Sequence, residues 1–164
     1  MKTSVTLRAL EESDLPQLRD WRNADWLRPY VREYRLLNMV NQLEWFKGIS
    51  SSRDVAMFGI LISGDLSGVC GLTNINWVNR TAEISIYIIP KQRGRGAAVA
   101  TMLELEKVAF EDYNLHRLWA EVYAFNVPGC SLFDVCGYDQ EGRMVQHVFK
   151  NGRYHDSLLY GKVK

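Results

Sequence analysis

This sequence predicts a mixed α/β domain of the α+β type. Apolar stretches of strand length alternate early, in the middle and near the C-terminus, and helical periodicity separates them. One stretch, residues 81–126, reads strand, helix, strand. A crossover of that kind places one parallel pair inside an otherwise antiparallel sheet. The expected architecture is a central, mostly antiparallel mixed sheet flanked by about four helices, with residues 1–164 forming a single domain large enough for one hydrophobic core.

The elements follow in order. VTLRAL alternates as a first strand. In SDLPQLRDWRNA, Ser13 is placed to cap a helix, Pro16 suits its first turn, and Leu15, Leu18 and Trp21 recur at helical spacing. The basic and aromatic stretch DWLRPYVREYRLL is broken by Pro29, and a second helix is expected to start near Asn38 and run through NQLEWFKGI. The period then changes. VAMFGILI, the turn SGDLSG, VCGLTNINWV, the turn NR and TAEISIYIIP read as consecutive antiparallel strands. AAVATMLELEKVAFEDY is rich in helix formers. HRLWAEVYAF is a further strand, and PGCSLFDVCGY is a short helix that Gly137 can terminate. The tail MVQHVFKNGRYHDSLLYGKV closes as a hairpin about Asn151-Gly152.

Composition narrows the function. A net charge of +1 argues against a dedicated nucleic-acid binder. Cys70, Cys130 and Cys136 form an odd set without paired spacing, which argues for free thiols and against both a disulfide framework and a metal site. The opening MKTSVTLRAL lacks the apolar core of a signal peptide, and no stretch is apolar for long enough to span a membrane. A cytoplasmic protein without membrane or nucleic-acid partners is expected.

The stretch KQRGRGAAVA sits between a strand and a helix. A helix start exposes unpaired N–H groups and the positive end of the helix dipole. Gly94 and Gly96 allow close backbone approach, and Ala97 and Ala98 leave it unobstructed. The loop therefore reads either as a solvated turn or as an anion cradle. It is neither a P-loop nor a dinucleotide fingerprint.

Arg93-Gly94-Arg95-Gly96-Ala97-Ala98 resembles the Q/R-x-x-G-x-G/A signature of the GNAT superfamily of N-acetyltransferases. NVPGCSLFDVCGY is similar to a second motif of that family, with Asn126, Leu132, Gly137 and Tyr138 in register. The opening LRALEESDLPQLRDWRN and the tail GYDQEGRMVQHVFKNGRYHDSLLYG resemble the branch holding ribosomal-protein N-terminal and amino-sugar N-acetyltransferases. The resemblance implies acetyl-CoA as cosubstrate. Its pyrophosphate would lie against Arg93, Gly94, Arg95, Gly96, Ala97, Ala98 and Val99, its pantetheine arm along the backbone of Ile86 and Ile88, and Asn126 nearby.

Acetyl transfer to an amine needs positioning above all, and a carboxylate base adds to it. By its strand position, Glu83 resembles the base of histone-type members, and Glu121 that of ribosomal-alanine members; either can serve. Where many members carry a tyrosine acid, this chain has Phe133, which has no proton to give. That leaves water, Tyr138, Cys130, Ser131 or no acid at all. Cys130 as a covalent carrier has no local sequence evidence of an activating base. His147 and Asp156 fall on the closing strands near the expected acceptor entrance.

Trp21, Arg22, Tyr30 and Arg32 belong to the aromatic and basic region expected to form the acceptor wall. They suit an amino sugar, a nucleotide-sugar or another small amine, and a protein N-terminus stays open. A polyamine fits less well, because a cation prefers an acidic lip. The alternative function is a non-catalytic CoA-binding or regulatory module, and the expected assembly is a monomer or homodimer.

Overall fold

In the computed structural model, residues 4–164 are described. The first residues of the expected single domain and of the opening read for a signal peptide lie outside them. The elements are β1 (Val5–Ala9), α1 (Leu15–Asn23), α2 (Met39–Ser51), β2 (Ala56–Ile62), β3 (Asp65–Asn76), β4 (Thr81–Ile88), α3 (Ala97–Lys107), β5 (Arg117–Tyr123), α4 (Val127–Val135), β6 (Asp139–Lys150) and β7 (Arg153–Val163). They form a seven-stranded sheet in the order β1-β2-β3-β4-β5-β7-β6. Its ladders are antiparallel except β4–β5, which is parallel as the strand–helix–strand stretch requires.

Alternation along the strands divides the core in two. Ile60, Cys70, Leu72, Ile84, Ile88, Leu118 and Ala120 pack with Met102 and Leu105 of α3 and Phe133 of α4. Val69, Met57 and Tyr87 face the opposite way, onto Leu15, Leu18 and Trp21 of α1 and Leu43 and Phe46 of α2. Each fully buried leucine contributes on the order of 1.5–3 kcal/mol by leaving water. Burial also pushes the Cys70 thiol up to about 12, so it stays protonated and inert.

Local chemistry corrects some boundaries. Ser13 does not cap α1; it lies within a 3₁₀ turn, Glu12–Asp14, that leads into the helix. Asp14 organises this corner instead, accepting the Glu11 N–H at 2.8 Å and two bonds from Arg8, both at 2.8 Å. A carboxylate can take those three donors at once, which a hydroxyl cannot. The SGDLSG turn contracts to Ser63-Gly64, and β3 starts at Asp65. The helix after the glycine-rich loop keeps α geometry to Lys107 and widens into a π turn, Val108–Asp112, which sets the Tyr113 ring against Trp77.

Asn38 caps α2 as expected, through a reciprocal box with Asn41 at 3.0 and 3.1 Å. Asn38→Ala should cost about 1 kcal/mol, read as a lower urea midpoint at unchanged m-value. An unchanged midpoint would show that the box contributes nothing.

Candidate active site

The parallel ladder of β4 and β5 is short: Thr81, Ala82 and Glu83 pair with Arg117, Leu118 and Trp119. Beyond that point β4 keeps its ladder with β3 to Ile88, and β5 keeps its own with β7 to Tyr123. The sheet therefore forks just past Glu83, and Ile86 and Ile88 carry the β4 backbone along the open edge. The Ile88 carbonyl accepts the Arg93 Nε–H at 3.1 Å, and the Arg93 guanidinium lies 5.2 Å over the Trp26 ring. Arg93 thus ties the glycine-rich loop to β4 and to the segment after α1.

At the mouth of the fork, Gly94 and Gly96 adopt φ of +81° and +73°, and a Cβ on either would meet nothing within 4 Å. Gly96 is the N-cap of α3, and the first intrahelical bond joins the Ala100 N–H to its carbonyl at 2.9 Å. The N–H groups of Ala97, Ala98 and Val99 precede that bond and have no intrahelical partner. Left-handed glycines, open space and helix-start amides together fit a pyrophosphate. Arg95 belongs to the same loop. Asn126 caps α4 by accepting the Gly129 N–H at 3.1 Å, which places it directly after β5.

Glu83 and Glu121 share the face of the sheet that carries α1 and α2, and Arg32 joins them. Arg32 Nη2 lies 2.5 Å from Glu83 Oε1 and 2.9 Å from Glu121 Oε2, and Nη1 lies 3.2 Å from Glu83 Oε2. Asn74 donates to the same Glu83 oxygen at 2.7 Å. His147 Nε2 approaches Glu121 Oε1 to 3.7 Å, beyond hydrogen-bond length. Both Glu83 oxygens accept from Arg32 or Asn74, whereas Arg32 takes Oε2 of Glu121 and leaves Oε1 facing His147. The hydrogen bond to Glu83 holds the Arg32 guanidinium above its ordinary range, so it stays charged.

The other residues expected at the acceptor wall make different contacts. Arg22 lines a cavity of about 280 Å³ between α2 and the sheet, together with Glu33, Arg35, Gln42, Trp45 and Tyr87. Trp21 packs edge-on against Tyr87 at 6.3 Å and forms part of the wall behind that cavity. Tyr30 lies 5.8 Å from Phe125, whose ring lies 5.6 Å from Tyr123. Glu33 is held by Arg35 through bonds of 2.9 and 2.8 Å, which pull its carboxyl down to about 2.

Other candidates sit elsewhere. Phe133 is buried and stacked on Tyr160, with Tyr138 edge-on to it. Tyr138 lies in that core beside Lys162. Cys130 directs its thiol at the Tyr123 carbonyl, 3.9 Å away, and burial raises its pKa. Asp156 braces a bulge in β6 by accepting from Gln146 N at 2.7 Å and Arg143 Nε at 2.6 Å. That bulge turns His147 toward Glu121. Asn74 and Tyr87, which the sequence reading passed over, support Glu83 and floor the cavity. Asn74 follows an apolar run of β3 at a φ of +50°, a left-handed kink that its sequence does not announce.

Among the described residues no helix is long and apolar enough to cross a membrane. The acetyltransferase (GNAT) domain family model matches residues 7–159. The spermidine N(1)-acetyltransferase of Vibrio cholerae is 30% identical over 158 residues, covering 95% of this chain and 91% of that protein. Its Escherichia coli (strain K12) counterpart is 26% identical over 155 residues, covering 94% and 83%. The crystal structure of the Vibrio cholerae enzyme with CoA and spermine superposes with a TM-score of 0.92 at 28% identity, covering 97% of this chain and 95% of that one. Another structure of that enzyme, dodecameric and in an intermediate state, gives 0.85 at 28% identity over 97% and 93%. Likeness on this scale covers the fork, the glycine-rich loop and both flanking helices at once, and by it the chain belongs to the GNAT acetyltransferase family and is an acetyl-CoA-dependent N-acetyltransferase.

Proposed function

We propose that the chain acetylates the primary amine of a compact acceptor, an amino sugar or its nucleotide-linked form, in the cleft on the α1/α2 face. The charge balance of that cleft carries the reading. In the cavity Arg22 and Arg35 stand against Glu33 and Glu44, with Glu33 already held by Arg35. Beside it, Arg32 engages both strand carboxylates. A polycation binds where carboxylates are uncompensated; a hydroxylated, neutral or anionic body does not need them. Trp45 and Tyr87 offer flat walls, and Trp21 backs Tyr87. The planar fork of Arg22 suits a phosphate.

Acetyl-CoA supplies an acetyl thioester whose leaving group is a thiolate. Arg93, Arg95 and the backbone from Gly94 to Val99 would hold its pyrophosphate, Ile86 and Ile88 would line its pantetheine arm, and Asn126 would stand at the base of α4. Glu121 is the general base, because Arg32 takes only its Oε2, whereas both Glu83 oxygens are held by Arg32 and Asn74. Glu83, clamped by Arg32 and Asn74, anchors the arrangement. Phe133 contributes no proton, so the thiolate leaves without help from that position.

The relatives named for spermidine favour a second reading, a polyamine acceptor. Steady-state turnover of glucosamine 6-phosphate, a nucleotide-linked amino sugar, spermidine and an N-terminal peptide decides between them. We expect kcat/KM for one of the amino sugars to exceed that for spermidine at least tenfold, a difference of about 1.4 kcal/mol in the barrier. The reverse order overturns the amino-sugar reading, and coenzyme binding without turnover of any amine supports a non-catalytic module.

Cys70, Cys130 and Cys136 are free thiols, which supports the cytoplasm as the compartment. We take the working form to be a monomer or homodimer. Light scattering that returned a larger particle, as for the dodecameric relative, would overturn that.

A further inference from the structure

We propose that Arg32 sets acceptor specificity by occupying, from within the chain, the seat that a second ammonium group of a diamine would take. This rests on the reading of the cleft as a site for compact amines and deepens it.

The geometry resembles a bound ligand more than a core ion pair. The Glu83 and Glu121 side chains are 5% and 12% exposed, while that of Arg32 is 58% exposed. The anions belong to the floor, and the cation reaches them from the solvent side. A single nitrogen of Arg32 touches both carboxylates, so the span between them fits one cationic nitrogen. The contacts join residues 51 and 89 positions apart in the chain.

The segment that carries Arg32 is held in place around it. Lys150 Nζ donates to the Val31 carbonyl at 2.6 Å on one side. On the other, Asn23 makes a two-way tie to Leu37, donating to its carbonyl at 2.8 Å and accepting its N–H at 2.7 Å. Between them, Glu33 and Arg35 pair with each other, and the Arg32 guanidinium reaches Glu83 and Glu121. The three groups Glu83, Glu121 and Arg32 carry a net charge of −1 together, against −2 for the two carboxylates alone. Only the latter matches a dication. An internal guanidinium excludes competing cations without excluding the single amine that reacts beside it, which is specificity by a built-in repulsive element.

Equilibrium binding to the full-length protein saturated with CoA tests this, with spermidine and glucosamine 6-phosphate as probes. Arg32→Gln and Arg32→Met should each bind spermidine at least tenfold more tightly than wild type, whereas Arg32→Lys, which keeps the charge, should not. Adding Glu83→Gln to Arg32→Gln should erase the gain, an outcome that general loosening of the loop would not produce. Unchanged or weaker spermidine binding in both neutral variants, with CoA affinity retained, overturns the proposal. So does an equal gain in Arg32→Lys. These measurements do not depend on turnover: if wild type fails on every amino sugar, the proposed function falls while the comparison of binding still decides the role of Arg32.

Discussion

Glu121→Gln is expected to lower kcat for acceptor acetylation by about 10²–10⁴-fold while leaving acetyl-CoA binding intact. The substitution keeps the shape and an oxygen that can accept from Arg32, so the clamp at 2.9 Å survives and only the basic carboxylate is lost. Glu83→Gln should behave differently. Its carboxylate holds two Arg32 nitrogens and Asn74, so neutralising it loosens the Arg32 segment and appears mainly in acceptor KM. Steady-state kinetics on both variants separate the roles. An unimpaired kcat in Glu121→Gln beside a collapsed kcat in Glu83→Gln would reverse the assignment.

The second large effect concerns the coenzyme loop. Acetyl-CoA at about a hundred times its Kd should stabilise the protein by about 2.7 kcal/mol, or roughly 5–11 °C in Tm for a domain of this size. Gly96→Glu should abolish that shift. It sets a carboxylate at the start of α3, where the Ala97, Ala98 and Val99 amides are directed. Gly96→Ala is the control. At a φ of +73° it costs about 1–2 kcal/mol in strain, so the free protein melts lower, yet the open space around that position leaves room for a methyl group and most of the ligand shift should remain. A full shift in Gly96→Glu would place the pyrophosphate elsewhere.

Much of this fold follows from local rules that act over a few residues. The Asn151-Gly152 turn, with φ of +51° and +79°, joins β6 to β7 where the dipeptide demands it. The crossover from β4 through α3 to β5 makes the parallel pair, and Gly137 ends α4 at a φ of +77°. Apolar alternation puts Glu83 and Glu121 on strands, and the resemblance to the family supplied their expected role as bases. Their link through Arg32 was not legible. Residues 24–38 contain no sustained helix or strand, so no period reports which of their several arginines turns inward; that depends on the Asn23 and Lys150 tethers. The bulge that brings His147 to Glu121 was equally hidden, since it rests on Asp156 bonding backbone ten residues away. A hydroxyl at Ser13 satisfies the local capping rule. Arg8, from the preceding strand, made Asp14 the better organiser.

On the proposed reading transfer is direct, with acetyl-CoA in the fork and the amine over Glu121 reacting within one ternary complex. Cys130, the thiol next along the chain after β5, is held protonated by burial, which makes it a poor relay. Initial rates with acetyl-CoA and acceptor both varied test this most directly, accompanied by the intact protein mass after incubation with acetyl-CoA alone. The account predicts intersecting reciprocal plots and an unmodified chain. Parallel plots, together with an acetylated protein that passes its acetyl group to the amine, would contradict it.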